Sequence, residues 1–360
     1  MKYINEFRSP NLAKKIISRL KKLKIDKVNY MEVCGTHTVN AFKFGIRQTL
    51  PEGLRLISGP GCPVCVTDNR ELDITIEMLK KYEITLTTFG DMVRVPSSYS
   101  SLEKEKANGK DIRVVYSPID ALNLAQKNPE KNIVFFGVGF ETTAPMVAYT
   151  IKYANEKRIK NFYVYSVHKL IPPALKVLVK DENIKINGFL CPGHVSVIIG
   201  SNPYEFIARD YKIPCVITGF EPIDILQGIL MLAIQTKEKE AKVEIQYKRG
   251  VNKEGNKIAL ELINDVFDKS DALWRGLGII SQSGLVIKEE YSQFDALKKF
   301  PVDPSLVKKH KGCKCGDILK GLIMPYNCPL FKNVCNPLNP VGPCMVSSEG
   351  SCAAYYHYAL

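Results

Sequence analysis

The chain has 360 residues, of which 45% are hydrophobic and 24% charged, and it carries a formal net charge of +13. That is ordinary globular composition in a chain long enough for two or three cores, which excludes a disordered or fibrous protein. No uncharged apolar run approaches ~18 residues, so no membrane-spanning helix is expected, and the N-terminal M-K-Y-I-N-E-F-R-S-P has no apolar core behind Lys2 to act as an export signal.

A soluble, cytoplasmic protein is the expectation, and in that reducing compartment clustered cysteines serve as metal ligands or redox thiols more often than as structural disulfides. The basic excess raises nucleic-acid binding only to dismiss it. Lys14, Lys15, Lys21, Lys22 and Lys24 are spread along a helical stretch, the lysines of 236–257 are interleaved with Glu, and no Arg-rich tract or basic–aromatic strand occurs. A basic surface serves equally to steer an acidic protein partner.

In chain order, Asn11 stands before a helical spacing of Leu12, Ile16, Ile17, Leu20 and Leu23. A strand over 28–33 ends in the loop C-G-T-H-T (34–38), and a helix is expected through 39–49. A strand over 54–58 ends in G-P-G-C-P-V-C (59–65), and Asp68 opens a helix to Tyr82. Strands over 84–89, 112–116 and 132–138 follow, then 162–167 ending at His168, 186–190 ending in C-P-G-H-V, and 215–218 ending in G-F-E-P. Short apolar strands alternating with helices predict an α/β fold with parallel sheets. The offsets His37 to His168 (131), Gly61 to Gly193 (132) and Asp91 to Glu221 (130) suggest a duplication. The expected organisation is two similar α/β domains, 1–140 and 141–240, with central parallel sheets flanked by helices, and a smaller C-terminal domain, 241–360. The Lys/Glu-rich stretch 236–257 reads as an exposed helix end and turn between domains.

Polar residues that handle ligands in such folds gather beyond the carboxyl ends of the strands. Cys34 and His37 share one such loop, where the thiol is a nucleophile or soft ligand and the imidazole lowers its pKa or joins it on a metal. Cys62-Pro63-Val64-Cys65 stands between a strand and a helix, the setting in which a helix N-terminus stabilises a thiolate; half a zinc site is the other reading. G-V-G-F-E-T-T (137–143) lacks the last glycine of a dinucleotide fingerprint, because Thr142 stands there. Glu141 and Glu221 therefore read as cleft-lining carboxylates or as helix caps. His168 and His194 occupy the corresponding loops of the second half.

Six of the eleven cysteines fall in the last 48 residues, at 313, 315, 328, 335, 344 and 352, in a Pro- and Gly-rich stretch without helical periodicity. With only His310 and His357 near, an iron–sulfur cluster is favoured over mixed Cys/His zinc, although four cysteines on zinc also fit. Six thiols around a four-ligand cluster leave two spare.

The set C-G-T-H-T, G-P-G-C-P-V-C-V-T, G-F-E-T-T-A-P, C-P-G-H-V-S, G-F-E-P-I-D-I-L and P-V-G-P-C-M-V-S-S-E-G-S-C-A-A-Y-Y resembles the HypD family of hydrogenase maturation factors, over about residues 5–358. The resemblance implies a scaffold that, with the small chaperone HypC, assembles the Fe(CN)2CO group of [NiFe]-hydrogenases. It implies cyanide delivery by HypE, which depends on HypF. By motif, Cys34 would hold the iron together with a HypC cysteine, His37 would orient ligands or handle protons, and Cys62 and Cys65 would be redox-active. Glu141, Thr142 and Thr143 would line the same cleft, with His194 among the site residues. The family's [4Fe–4S] cluster would fall to Cys315, Cys328, Cys335 and Cys352, leaving Cys313 and Cys344 as spare thiols whose pairing is open. The competing function is an iron–sulfur-dependent thiol–disulfide oxidoreductase acting on another protein.

Overall fold

Runs of buried apolar residues become nine short parallel strands in the computed structural model, which describes residues 5–302 and 312–359. They are β1 (Val28–Glu32), β2 (Leu54–Ser58), β3 (Thr85–Thr88), β4 (Ile112–Val114), β5 (Ile133–Gly137), β6 (Phe162–Ser166), β7 (Gly188–Pro192), β8 (Cys215–Thr218) and β9 (Val243–Ile245). The first sheet has the order β2-β1-β7-β8-β9 and the second β4-β3-β5-β6. Helices cover both faces of each sheet, as the unbroken burial of β3, β5, β7 and β8 requires. Three cores result. One lies between the sheets and takes in Met31, Phe189, Leu86, Phe136 and the C-terminal cysteines, while each sheet has its own outer core.

The α/β class and the two similar domains are as expected, but the sheets do not divide at residue 140. The chain lays down β1 and β2, builds the whole second sheet, and then returns, so that Met31 of β1 pairs with Phe189 of β7. Counted within each sheet, both domains have the strand order 2-1-3-4, and the first adds a fifth strand. The domains are thus built to one plan, with the second inserted into the first. Structural equivalents are β1 with β3 and β7 with β5, so the 130-residue offsets do not mark equivalent loops. Alternation of strands and helices reports that parallel sheets form; it carries no signal for which sheet a strand joins.

Local differences follow the same logic. The helix after β1 starts at Gly35, not 39, and runs to Lys43, so Thr36, His37 and Thr38 lie in its first turn. The stretch read as a domain linker holds the end of the helix Pro222–Glu238 and the edge strand β9.

Beyond β9, the helix Lys257–Val266 leads into the antiparallel hairpin β10 (Phe267–Trp274) and β11 (Gly278–Ile287). Trp274 is fully buried and donates its indole N–H to Ser283 Oγ at 2.8 Å. At the hairpin turn, Arg275 donates to the Thr67 carbonyl at 2.7 and 3.0 Å and to Asn69 Oδ1 at 2.6 Å. The cysteine-rich tail then packs on the first domain, where Tyr355 of the helix Ser351–Tyr358 meets Phe42 edge-on at 4.5 Å.

Candidate functional site

Cys34 ends the extended backbone after β1 and caps the helix Gly35–Lys43, with φ −153° and ψ 130°. The backbone N–H groups of Thr36 and His37 and the Thr36 hydroxyl lie near its sulfur and pull its pKa down, although none makes a side-chain cap hydrogen bond to it. These donors favour a thiolate, as does the helix N-terminus. They are outweighed by burial and by the Glu349 carboxylate, which push the thiol up to about 12. The free sulfur is therefore a neutral thiol, and a cation bound there would reverse the balance.

Glu349 is the site residue that the sequence reading missed. It comes from the cysteine-rich tail, accepts a hydrogen bond from the Thr36 hydroxyl at 2.6 Å, and acts on the charge of both Cys34 and His194. A Cβ on Gly35 would lie 2.1 Å from the Glu349 carbonyl oxygen, so only glycine admits this approach. The sole hint in the sequence was an acidic residue among the small residues of S-S-E-G-S-C.

His37 is fully buried and held neutral, its pKa drawn down to about 4 by desolvation. Nε2 faces the Gly219 carbonyl at 3.1 Å and Thr218 Oγ1 at 2.9 Å, while Nδ1 has no partner. Its ring stacks on Phe220 at 4.8 Å, and His194 stacks on Phe220 at 3.9 Å. The loops after β1, β7 and β8 therefore meet at one crevice, at the point where the strand order reverses.

Cys62 caps the short helix Pro63–Val66 and accepts the Cys65 N–H at 3.3 Å; the two sulfurs are 2.6 Å apart. Gly61 packs against the Cys34 backbone so closely that a Cβ there would lie 2.3 Å from the Cys34 nitrogen. Cys344 lies beside Cys315 and Cys65, and these two thiols draw its pKa below that of a free thiol. Cys315 in turn contacts Cys352 and lies 3.2 Å from the Cys313 sulfur. One sulfur path thus runs Cys62–Cys65–Cys344–Cys315–Cys313. All eleven cysteines are free thiols, so Cys313 and Cys344 are not joined by a disulfide.

Cys313, Cys315, Cys328, Cys335 and Cys352 line one small cavity whose other walls include Ile318, Leu330, Phe331 and Met345. Gly342 leaves room there, since a Cβ would sit 2.6 Å from the Cys315 sulfur and 2.9 Å from that of Cys313. An all-thiol donor set in an apolar shell fits an iron–sulfur cluster. Among the described residues no group of His, Cys, Asp and Glu side chains closes on a single metal ion. His310 lies outside the described residues.

Glu141, Thr142 and Thr143 follow β5 at the edge of the second sheet. Glu141 is buried and its pKa rises to about 7 through desolvation; Oε1 accepts the Ile171 N–H at 2.9 Å. It lines a different cavity, among whose walls Cys34, Cys62 and Cys65 do not appear. Thr142 is exposed, and Thr143 Oγ1 donates to the Phe140 carbonyl at 3.3 Å. Glu221 caps the helix Pro222–Glu238 and pairs with Arg8, so for it the capping role holds.

A buried thiol on a helix N-terminus, backed by a path of sulfurs between two doubly wound domains, defines an α/β protein with a thiol-based site. A profile of the family described as "HypD: Hydrogenase formation hypA family" matches residues 11–359. The chain is 44% identical over 367 residues to the hydrogenase maturation factor HypD of Escherichia coli, covering 99% of this chain and 98% of that protein. It is 43% identical over 370 residues to HypD of Rhodobacter capsulatus, covering 99% and 98%. It is also 44% identical over 349 residues to a putative hydrogenase expression/formation protein of Methanocaldococcus jannaschii, covering 96% and 97%. The chain belongs to the HypD family of hydrogenase maturation factors. Among its described residues no helix is long and apolar enough to cross a membrane.

Proposed function

We propose that this chain is the scaffold on which, together with a HypC-type chaperone, the Fe(CN)2CO group of [NiFe]-hydrogenases is assembled, with Cys34 as the thiolate that holds the iron. The observation that carries this reading is the Cys34 sulfur itself, at a helix N-terminus beside the N–H groups of Thr36 and His37 and set against the C-x-x-C loop. Iron, cyanide and CO are cargo here. On binding iron, Cys34 loses its proton, and the Thr36 hydroxyl that bonds Glu349 lies beside the sulfur. HypE, dependent on HypF, would deliver cyanide to the crevice beside His194.

The thiols behind Cys34 form the redox side. Oxidation of Cys62 and Cys65 to a disulfide would release two protons and the two electrons that reductive cleavage of a thiocyanate, the form in which HypE would carry cyanide, consumes to give a thiolate and free cyanide. Cys344, the thiol with the lowered pKa, is placed to attack Cys65 and pass the disulfide on to Cys315. Four thiols of the C-terminal cavity would hold a [4Fe–4S] cluster, which supplies single electrons when bound. Cys328, Cys335 and Cys352 belong to either ligand set. The contact of Cys315 with Cys344 favours Cys313 as the fourth ligand and releases Cys315 to the dithiol path, the reverse of the choice read from sequence.

Infrared spectra of the anaerobically purified complex with its small partner test the scaffold. Cyanide and CO stretching bands that vanish on Cys34→Ala are expected; a competent complex without bands removes the proposal. Iron and sulfide analysis should give about four of each per chain, and zinc without labile sulfide would exclude the cluster. The second reading, a thiol–disulfide oxidoreductase acting on another protein, draws on the Cys65–Cys344 contact and predicts a reducible partner disulfide without bands.

A further inference from the structure

The loops at the edge of the second sheet frame a cavity of about 1020 Å³, at the upper end of the usual range for small-molecule sites. Its walls come from three regions: the helix Ile171–Lys180, residues 199–206 of the first domain, and the segment 254–285 with the hairpin. Most of the lining is apolar, with Val177, Phe206, Leu260 and Phe267 among it. Lys176, Lys180 and Lys269 stand exposed on its walls. None of the three is in an ion pair; the lysine ion pairs of the described residues lie elsewhere. Glu254 is the only other charged wall residue besides Glu141.

Glu141 supplies the second observation. Its side chain is 3% exposed, and holding the Ile171 N–H occupies only Oε1. Oε2 is buried without a hydrogen-bond partner. Leaving such an atom unpaired is destabilising, and a hydroxyl brought into the cavity would satisfy it. The position has a topological basis too. Glu141 follows the third strand of a doubly wound sheet, at the carboxyl end where ligands collect in this fold.

We propose that this cavity binds a small organic anion with an apolar body, its carboxylate held by the wall lysines and a hydroxyl at its far end hydrogen-bonded to Glu141. The site is separate from the thiol crevice. Phe140, beside Glu141 in sequence, stacks on Trp274, whose neighbour Arg275 is tied to Thr67 behind the C-x-x-C pair.

The probes are 4-hydroxybenzoate, which has both groups, and benzoate, which lacks the donor, titrated into the full-length chain by calorimetry and ligand-observed NMR. Saturable binding of 4-hydroxybenzoate, about tenfold tighter than benzoate, is expected. Lys176→Ala with Lys180→Ala, or Lys269→Ala, should weaken both probes about fivefold. Glu141→Ala should erase the difference between the two probes. Should that variant fail to fold, the exposed lysine variants decide alone. No saturable binding up to about 10 mM, or binding indifferent to the lysines, overturns the proposal.

Discussion

The two sheets have the same strand order, yet their carboxyl edges hold opposite chemistries. After β1 and β7 of the first sheet come Cys34 and His194, with Glu349 brought in from the tail. After β3 and β5, their equivalents in the second, come Gly90 and Asp91, and Glu141, which lines an apolar cavity. Reversal of strand order opens a crevice in both, as it does in any doubly wound sheet. What fills the crevice depends on the loop residues and on what packs over them. The first edge is covered by the sulfur-rich tail; the second is faced by a hairpin and a lysine-bearing helix. Function therefore follows the site and not the shared design.

The comparison breaks most sharply at activity. Cys34→Ala should abolish hydrogenase maturation, a loss of at least about 100-fold, measured by complementation of a strain lacking its own factor. Glu141→Gln should stay within about threefold. Equal losses would mean that the two edges act as one site. Next in size is packing. Gly35→Ala drives a methyl into the Glu349 backbone and should cost about 1–3 kcal/mol in thermal unfolding. Gly90→Ala, after β3, meets only Val114 Cγ1 at 3.6 Å and should cost less, so the reverse ranking would place the tail elsewhere.

Smaller again is the charge effect at the thiol. Glu349→Gln removes a carboxylate that raises the Cys34 pKa, so thiolate absorbance should rise at a lower pH than in the parent chain. No change would separate Glu349 from the sulfur. The smallest effects are in the pH dependence of stability, where the edges oppose each other. His37 is held neutral, so its contribution is complete above pH 6.5 and is lost as pH falls toward about 4. Glu141 is held protonated, so its contribution is complete below pH 4.5 and is lost as pH rises toward about 7. Glu141→Gln should flatten the loss on the alkaline side, and His37→Phe that on the acid side, each by a few degrees in thermal unfolding.

Much of the site was legible because its signals are local. Cys34, Cys62 and Cys65 stand directly after apolar strands, and a strand-end residue before a helix occupies a helix N-terminus whatever the sheet does next. The capping role of Glu221 and the α/β class were legible for the same reason. Glu349 and Cys344 were not, because each lies some 280 residues or more from the thiol it serves, and no periodicity links the two. Glu141 was assigned to the thiol crevice because its loop resembles the others in sequence, although its sheet is the second.

By itself, the amino-acid sequence determined the elements, the thiol-bearing loops and the family, since these depend on residues near one another or on long motifs read in order. Only the tertiary structure decided that β7 returns to β1, that the tail closes over Cys34, and that the sulfurs of Cys65 and Cys344 meet. Those outcomes depend on which buried surfaces find each other across the chain. A pairing of that kind is settled by the packing of whole domains and leaves no mark in any short stretch of sequence.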